Sequence, residues 1–128
     1  IVIGIGSSQY SGQETNPFPG DLRQKMIHAA LMEAGISPSK FTLVQIPDIH
    51  DDIRWIEHVE ALCPPFGPVY SGTPRVQTLF SRDGKHSVTT QKFNLPISAT
   101  LVRRLIKEGG PWQELVPSAV IPFLKNHI

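Results

Sequence analysis

Apolar residues recur along this chain with two different periods. Ile1-Val2-Ile3-Gly4-Ile5-Gly6 and Phe41-Thr42-Leu43-Val44-Gln45-Ile46 are nearly unbroken apolar runs. Runs of that length, rich in β-branched residues and ending at turn formers, predict parallel strands buried on both faces. Pro68 to Ser71 predicts a shorter strand, and His86 to Thr90 an edge strand. Between the strands the period changes to that of a helix. Leu22, Met26, Ile27, Ala30, Leu31 and Ala34 form one face of a helix from about Asp21 to Ala34, and Gly35 ends it. Asp51 or Asp52 caps a second helix running to about Cys63, with Ile53, Ile56, Val59 and Leu62 as its core stripe. Gly72-Thr73-Pro74 opens a third, with Thr73 as cap and Pro74 in the first turn, which runs to about Phe80 before Asp83-Gly84 turns the chain. Ser98 opens a fourth, whose apolar face is Leu101, Val102, Leu105 and Ile106. Residues 111–128 predict a turn and a last helix kinked at Pro122. Strand and helix alternate, the mark of an α/β, doubly wound (Rossmann-like) parallel sheet.

Composition narrows the class. The 128 residues suit one domain spanning 1–128, with 40% hydrophobic and 18% charged residues, the balance of an ordinary globule. No apolar run approaches the roughly 20 residues that span a bilayer, and no leader or lipidation pattern is visible. Cys63 stands alone, which excludes an intrachain disulfide and makes a reducing, cytoplasmic setting the expectation. A net charge of +1 hides an asymmetry. Residues 1–64 hold 4 Lys and Arg against 8 Asp and Glu, whereas residues 65–128 hold 8 against 3. The basic half suits a small anionic ligand, and it is too modest and too poor in clustered aromatics for nucleic acid. The first strand begins at Ile1, without a Met, so the chain reads as N-terminally truncated, with a preceding strand missing.

Several local patterns need weighing. Gly4-x-Gly6 lacks the third glycine of a dinucleotide fingerprint, since Gln9 stands in its place, and Ser7 lacks the Gly-x-Ser-x-Gly frame of a nucleophile elbow. The polar loop 7–19 leaves the carboxyl end of the first strand, where open α/β sheets bind ligands. Arg23 borders the apolar face of the first helix and can reach those strand ends, or can simply be solvated. Trp55 lies one position off its helix's stripe, as a core-edge aromatic or as a stacking platform. Asp48, His50, Asp51, Asp52 and His58 have no recognised ligand spacing and read as caps and surface groups, so no metal site is assigned.

Ile97-Ser98-Ala99-Thr100-Leu101-Val102-Arg103-Arg104 concentrates the chemistry. Ser98 caps a helix whose first N–H groups are free, and Arg103 and Arg104 lie off the apolar face and lean toward the same end. Free N–H groups, two hydroxyls and guanidinium groups together suit a phosphate. An N-capped helix with solvated arginines is the alternative.

Ser98 to Arg103 resembles the Ile-Ser-x-Thr-x-x-Arg signature of the nucleotidyltransferase superfamily. Gly4-Ile5-Gly6-Ser7-Ser8-Gln9, Asn16-Pro17-Phe18, Arg23, Pro47-Asp48-Ile49, Trp55, Pro64-Pro65-Phe66 and Val69-Tyr70-Ser71-Gly72 precede it in order. The ordered set is similar to the archaeal-type nicotinamide-nucleotide adenylyltransferases. The resemblance implies adenylyl transfer from ATP to nicotinamide mononucleotide, giving NAD and pyrophosphate with Mg²⁺. It implies that Ser71, Gly72, Ser98, Thr100 and Arg103 bind ATP, and that Phe18, Arg23 and Trp55 bind the mononucleotide. Arg23 and Arg103 would be the catalytic arginines. It also implies a homo-oligomer whose partners are small nucleotides rather than nucleic acid or membrane. One departure is serious. The superfamily's His-x-Gly-His is absent, because His28, His50, His58, His86 and His127 never have that spacing. Thr73 replaces a common Asn, and Gly12 a common His. The alternatives are therefore a non-catalytic nucleotide-binding or regulatory relative, or a nucleotidyltransferase of another small phosphorylated substrate such as phosphopantetheine or glycerol phosphate.

Overall fold

The computed structural model describes residues 1–90 and 94–127. Four short strands and five helices alternate among them: β1 (Val2–Gly6), α1 (Gly20–Glu33), β2 (Thr42–Ile46), α2 (Trp55–Leu62), β3 (Val69–Ser71), α3 (Pro74–Asp83), β4 (Val88–Thr90), α4 (Ala99–Glu108) and α5 (Ile121–Asn126). The link from β4 to α4, expected to be a loop of mixed polarity, includes residues 91–93, which lie outside the described residues.

All pairing is parallel, as the apolar runs require. The described strands form two pairs rather than one sheet. β1 pairs with β2 in the register Val2 to Thr42 through Gly6 to Ile46. β3 pairs with β4, Val69 opposite Val88. β4, expected as an edge strand, stands at the edge of its pair among the described strands. β1 was expected to be buried between neighbours, yet Ile5 is its one buried residue. A Cβ at Gly4 would lie 2.7 Å from Ile46 Cδ1, so any other residue there would have to push that side-chain end aside. A cleft of about 780 Å³ separates the two pairs, lined on one side by Ile1, Val2, Gly4 and Gly6 and on the other by Pro68 to Ser71.

Two apolar cores hold the layers. Ile46, Trp55, Ile56, Val59, Leu79 and Phe80 join β2, α2 and α3. Trp112, Val120 and Leu124 gather Met26 and Ala30 of α1 with Val102, Leu105 and Ile106 of α4. The predicted face of α4 is thus its packing face.

Three expectations about helices change. α2 begins at Trp55, not at Asp51 or Asp52, because the Asp51 carboxylate accepts the N–H groups of Ile53 and Arg54 and so closes a turn ahead of the helix. The later start rotates the stripe to Trp55, Ile56 and Val59, leaving Ile53 93% exposed. α3 continues to Asp83 and stops at Gly84, whose φ of 73° suits a residue without a side chain. Pro122 sits in the first turn of α5, where no N–H is missed, so it opens that helix instead of kinking it.

Candidate functional site

The carboxyl ends of β1 and β2 are stitched together by side chains. Ser7 Oγ donates to Asp48 Oδ2 at 2.7 Å. The Gln9 amide clamps the Asp48 backbone from both sides, donating to its carbonyl and accepting its N–H, each at 2.9 Å. Tyr10 Oη meets His50 Nε2 at 2.7 Å. Ser7 and His50 both have left-handed backbones, with φ of 49° and 54°. Non-glycine residues hold that conformation only where their surroundings over-determine it. The stitching supplies that constraint on both sides of the junction. Gly20 completes the close fit, since a Cβ there would lie 2.8 Å from the Ser8 carbonyl.

Arg23 is the centre of this junction. Its guanidinium donates to the carbonyls of Gly6 at 2.7 Å, Ser7 at 2.9 Å and Phe18 at 3.1 Å, with a longer contact to Tyr10 at 3.5 Å. Four of its five N–H groups are thereby engaged, one of them only through that longer contact. Phe18 joins the Trp112 core while its carbonyl anchors Arg23.

The other members of the Asp48–His58 group, Asp51, Asp52 and His58, each have a partner. Asp51 caps the turn before α2, Asp52 pairs with Arg75 at 2.6 Å, and His58 Nε2 lies 2.8 Å from the Pro47 carbonyl oxygen. Among the described residues, no three His, Cys, Asp or Glu side chains stand together as a ligand set. Cys63 is packed beside the α2 core, and its burial pushes the thiol pKa up.

Trp55 and Ser71 line the same cleft between the strand pairs. Trp55 is only 8% exposed, set edge-to-face against Phe80 with ring centroids 5.7 Å apart. The Arg75 guanidinium carbon stands over the indole, 5.7 Å from its centroid. Trp55 Nε1 is buried and finds no hydrogen-bond partner among the described residues. Trp55 is thus a core side chain that also borders the cleft, as the core-edge reading has it. Ser71 shapes the turn into α3. Its hydroxyl accepts the Thr73 N–H at 3.1 Å and its carbonyl accepts Gln77 Nε2 at 2.5 Å. Thr73 itself makes no side-chain cap, contrary to expectation. Gly72 is exposed in the bend between Ser71 and Thr73.

At α4 the expected cap is present: Ser98 Oγ accepts the Leu101 N–H at 3.1 Å. Arg103 Nη2 donates to Thr100 Oγ1 at 3.3 Å, which folds the guanidinium back over the first turn. Ser98 and Thr100 are exposed and Arg103 half-buried, so the helix start is open to a ligand. Arg23 and the Ser98–Arg103 group do not line the Trp55 cleft. Sequence reasoning missed Arg75, and it used Gln9 to reject a dinucleotide fingerprint and as one position of the ordered resemblance, with no structural partner named for it. A basic residue one position after Pro74, beside a Ser-Gly turn at a strand's carboxyl end, was the available signal.

Parallel strand pairs flanked by helices, with loops stitched at their carboxyl ends and an open, Ser-capped helix carrying arginine, define an α/β nucleotide-binding domain of the nucleotidyltransferase type. No family model matches the chain. Individual proteins do. The nicotinamide-nucleotide adenylyltransferase of Pyrococcus furiosus is 39% identical over 98% of this chain and 68% of its own length. Those of Methanothrix thermoacetophila and Thermococcus sibiricus are each 40% identical, over 94% and 98% of this chain and 69% and 68% of their own lengths. The chain belongs to the nicotinamide-nucleotide adenylyltransferases. A solved bifunctional NMN adenylyltransferase/ADP ribose pyrophosphatase from Francisella tularensis superimposes with a TM-score of 0.74 at 18% identity, over 90% of this chain and 36% of that one. The same protein complexed with AMP and Mn ion gives 0.71 at 19% identity, over 90% of this chain and 35% of that one. Both likenesses establish the fold.

Proposed function

We propose that this domain positions ATP and nicotinamide mononucleotide for adenylyl transfer, with ATP phosphates on the first turn of α4. The open helix start carries this reading: Ser98 caps it, and Arg103 folds back over it onto Thr100. An oxygen of the mononucleotide phosphate attacks the α-phosphorus of ATP in line. The new O–P bond forms as the bond to the pyrophosphate oxygen breaks, and the negative charge leaves on pyrophosphate. Little covalent work falls to the protein, so positioning and charge stabilisation dominate. Arg103 bears on the charge developing on the leaving group. Arg23 holds the β1 loop in place through carbonyls and has one donor left for the mononucleotide phosphate. Trp55 offers its cleft edge to the pyridine ring, Ser71 and Gly72 let ATP approach the end of β3, and Phe18 supports the loop from beneath. Mg²⁺ enters with the triphosphate as part of the substrate. A cytoplasmic enzyme working as a homo-oligomer is consistent with the family.

His-x-Gly-His does not occur in these residues. In this reading it arrives on a strand seated in the cleft lined by β1 and β3. NAD formation tests the assignment. Residues 1–128 alone should bind ATP without making NAD, and the polypeptide carrying a His-x-Gly-His segment ahead of β1 should make it. NAD from residues 1–128 alone would show that the chemistry runs without that motif. ATP binding with no NAD from either form would favour the non-catalytic nucleotide-binding module. NAD replaced by the dephospho-coenzyme product would favour phosphopantetheine as the substrate.

A further inference from the structure

The backbone ladder between β1 and β2 ends just short of the cleft wall that carries Asp48. Gly6 opposite Ile46 is its last register pair, and the Ser8 N–H donates to the Ile46 carbonyl at 3.4 Å. Two residues beyond Ile46, the Gln9 side chain takes over from the main chain. Its amide donates to the Asp48 carbonyl and accepts the Asp48 N–H, each at 2.9 Å, much as an opposing strand would. Gln9 is exposed, so packing does not hold it there, and the two bonds engage both ends of its amide. Ser7 Oγ donates to Asp48 Oδ2 at 2.7 Å and so ties the carboxylate to the same junction.

What this turn carries is charge. Asp48 lines the same cleft as Trp55, and it is the only Asp, Glu, Lys, Arg or His among the residues that line it. No cation pairs with it among the described residues. A single charge in a cleft with apolar walls acts more strongly than the same charge in open water. The pyridine ring of nicotinamide mononucleotide is a cation bearing a neutral carboxamide, so a cleft whose one charged side chain is a carboxylate suits it. We propose that Gln9 is a positioning residue for the mononucleotide: by clamping the Asp48 backbone it holds that carboxylate at the cleft wall. Gln9 acts on the cationic ring through the field of Asp48, without touching it. The inference rests on the mononucleotide entering the cleft that Trp55 borders.

The test is calorimetric titration of the chain with nicotinamide mononucleotide and, separately, with ATP. The proteins are the parent, Gln9→Met, Gln9→Glu, Asp48→Asn and the double variant Gln9→Met with Asp48→Asn. Gln9→Met keeps length without either bond and should weaken the mononucleotide about fivefold, the scale of one net hydrogen bond, with ATP held within about twofold. Gln9→Glu can still accept the Asp48 N–H but sets a carboxylate against the Asp48 carbonyl, so it should not restore binding. Asp48→Asn keeps an acceptor for Ser7 without the charge and should weaken the mononucleotide at least as much. In the double variant the loss should stay within about twofold of Asp48→Asn alone, because Gln9 acts through that charge. Mononucleotide affinity unchanged in Gln9→Met, an equal loss for ATP, or losses that multiply in the double variant would overturn the role of Gln9 while leaving the mononucleotide in its cleft. Loss of the fold in both Gln9 variants, read by thermal melts, would make Gln9 structural and overturn it too. No mononucleotide binding by the parent would overturn the cleft assignment and the inference together.

Discussion

Arginine does two different kinds of work in this molecule, and the difference lies in what each guanidinium touches. Arg23 is spent largely on main-chain carbonyls. Arg103 touches one exposed hydroxyl, which in the proposed reading it exchanges for a phosphate. Arg23→Ala should therefore cost stability first, about 1–3 kcal/mol for the carbonyls left without partners, with denaturant melts as the measure. Trp55 stands between the two kinds. Its burial beside Phe80 means that Trp55→Ala should destabilise by about 3–5 kcal/mol in denaturant melts and also weaken mononucleotide binding in the folded fraction. Loss of binding without loss of stability would make it a surface platform only. Cys63 adds a pH dependence. Burial raises its thiol pKa in the folded state, so the unfolded chain ionises first as pH rises. Stability from this group is flat below the ordinary thiol range of roughly pH 8.5 and falls above it. The urea midpoint should drop less between neutral and alkaline pH in Cys63→Ala than in the parent.

At the scale of elements, legibility followed the range of the interactions. β1, β2, α1 and the Ser98 cap were readable because neighbours in sequence decide them. Ser98→Ala should cost about 1 kcal/mol, measured by thermal unfolding, because only the cap is lost. The start of α2 was misread because Asp51 and Asp52 are equally good caps by residue type. Asp51 closes a turn while Asp52 reaches across to Arg75. That single shift drew Trp55 from the edge of the stripe into the core and put Ile53, expected on the stripe, in solvent. Pro122 was misread for want of the helix boundary. The Gln9 clamp on Asp48 was illegible, since its partner lies 39 residues away and a lone Gln carries no motif.

At the scale of the molecule, both described strand pairs are parallel and both line one cleft. Below that level the sequence was a sound guide to class: alternating periods gave α/β order, and the ordered motifs gave the family. It carried no information on how the site residues divide. Trp55 and Ser71 border the cleft, while Ser98, Thr100 and Arg103 stand apart from it on the helix that packs over the Trp112 core. The account joins them through the two substrates, ATP on α4 and the mononucleotide at Trp55. ATP titrated calorimetrically into the parent and into Arg103→Ala tests that claim most directly. The loss of one charge-assisted phosphate contact, about 1.5–3 kcal/mol, should weaken ATP binding roughly ten- to a hundredfold. Nicotinamide mononucleotide binding should stay within about twofold in the same variant. ATP affinity unchanged by Arg103→Ala would contradict the account, because the phosphates would then rest somewhere other than the start of α4.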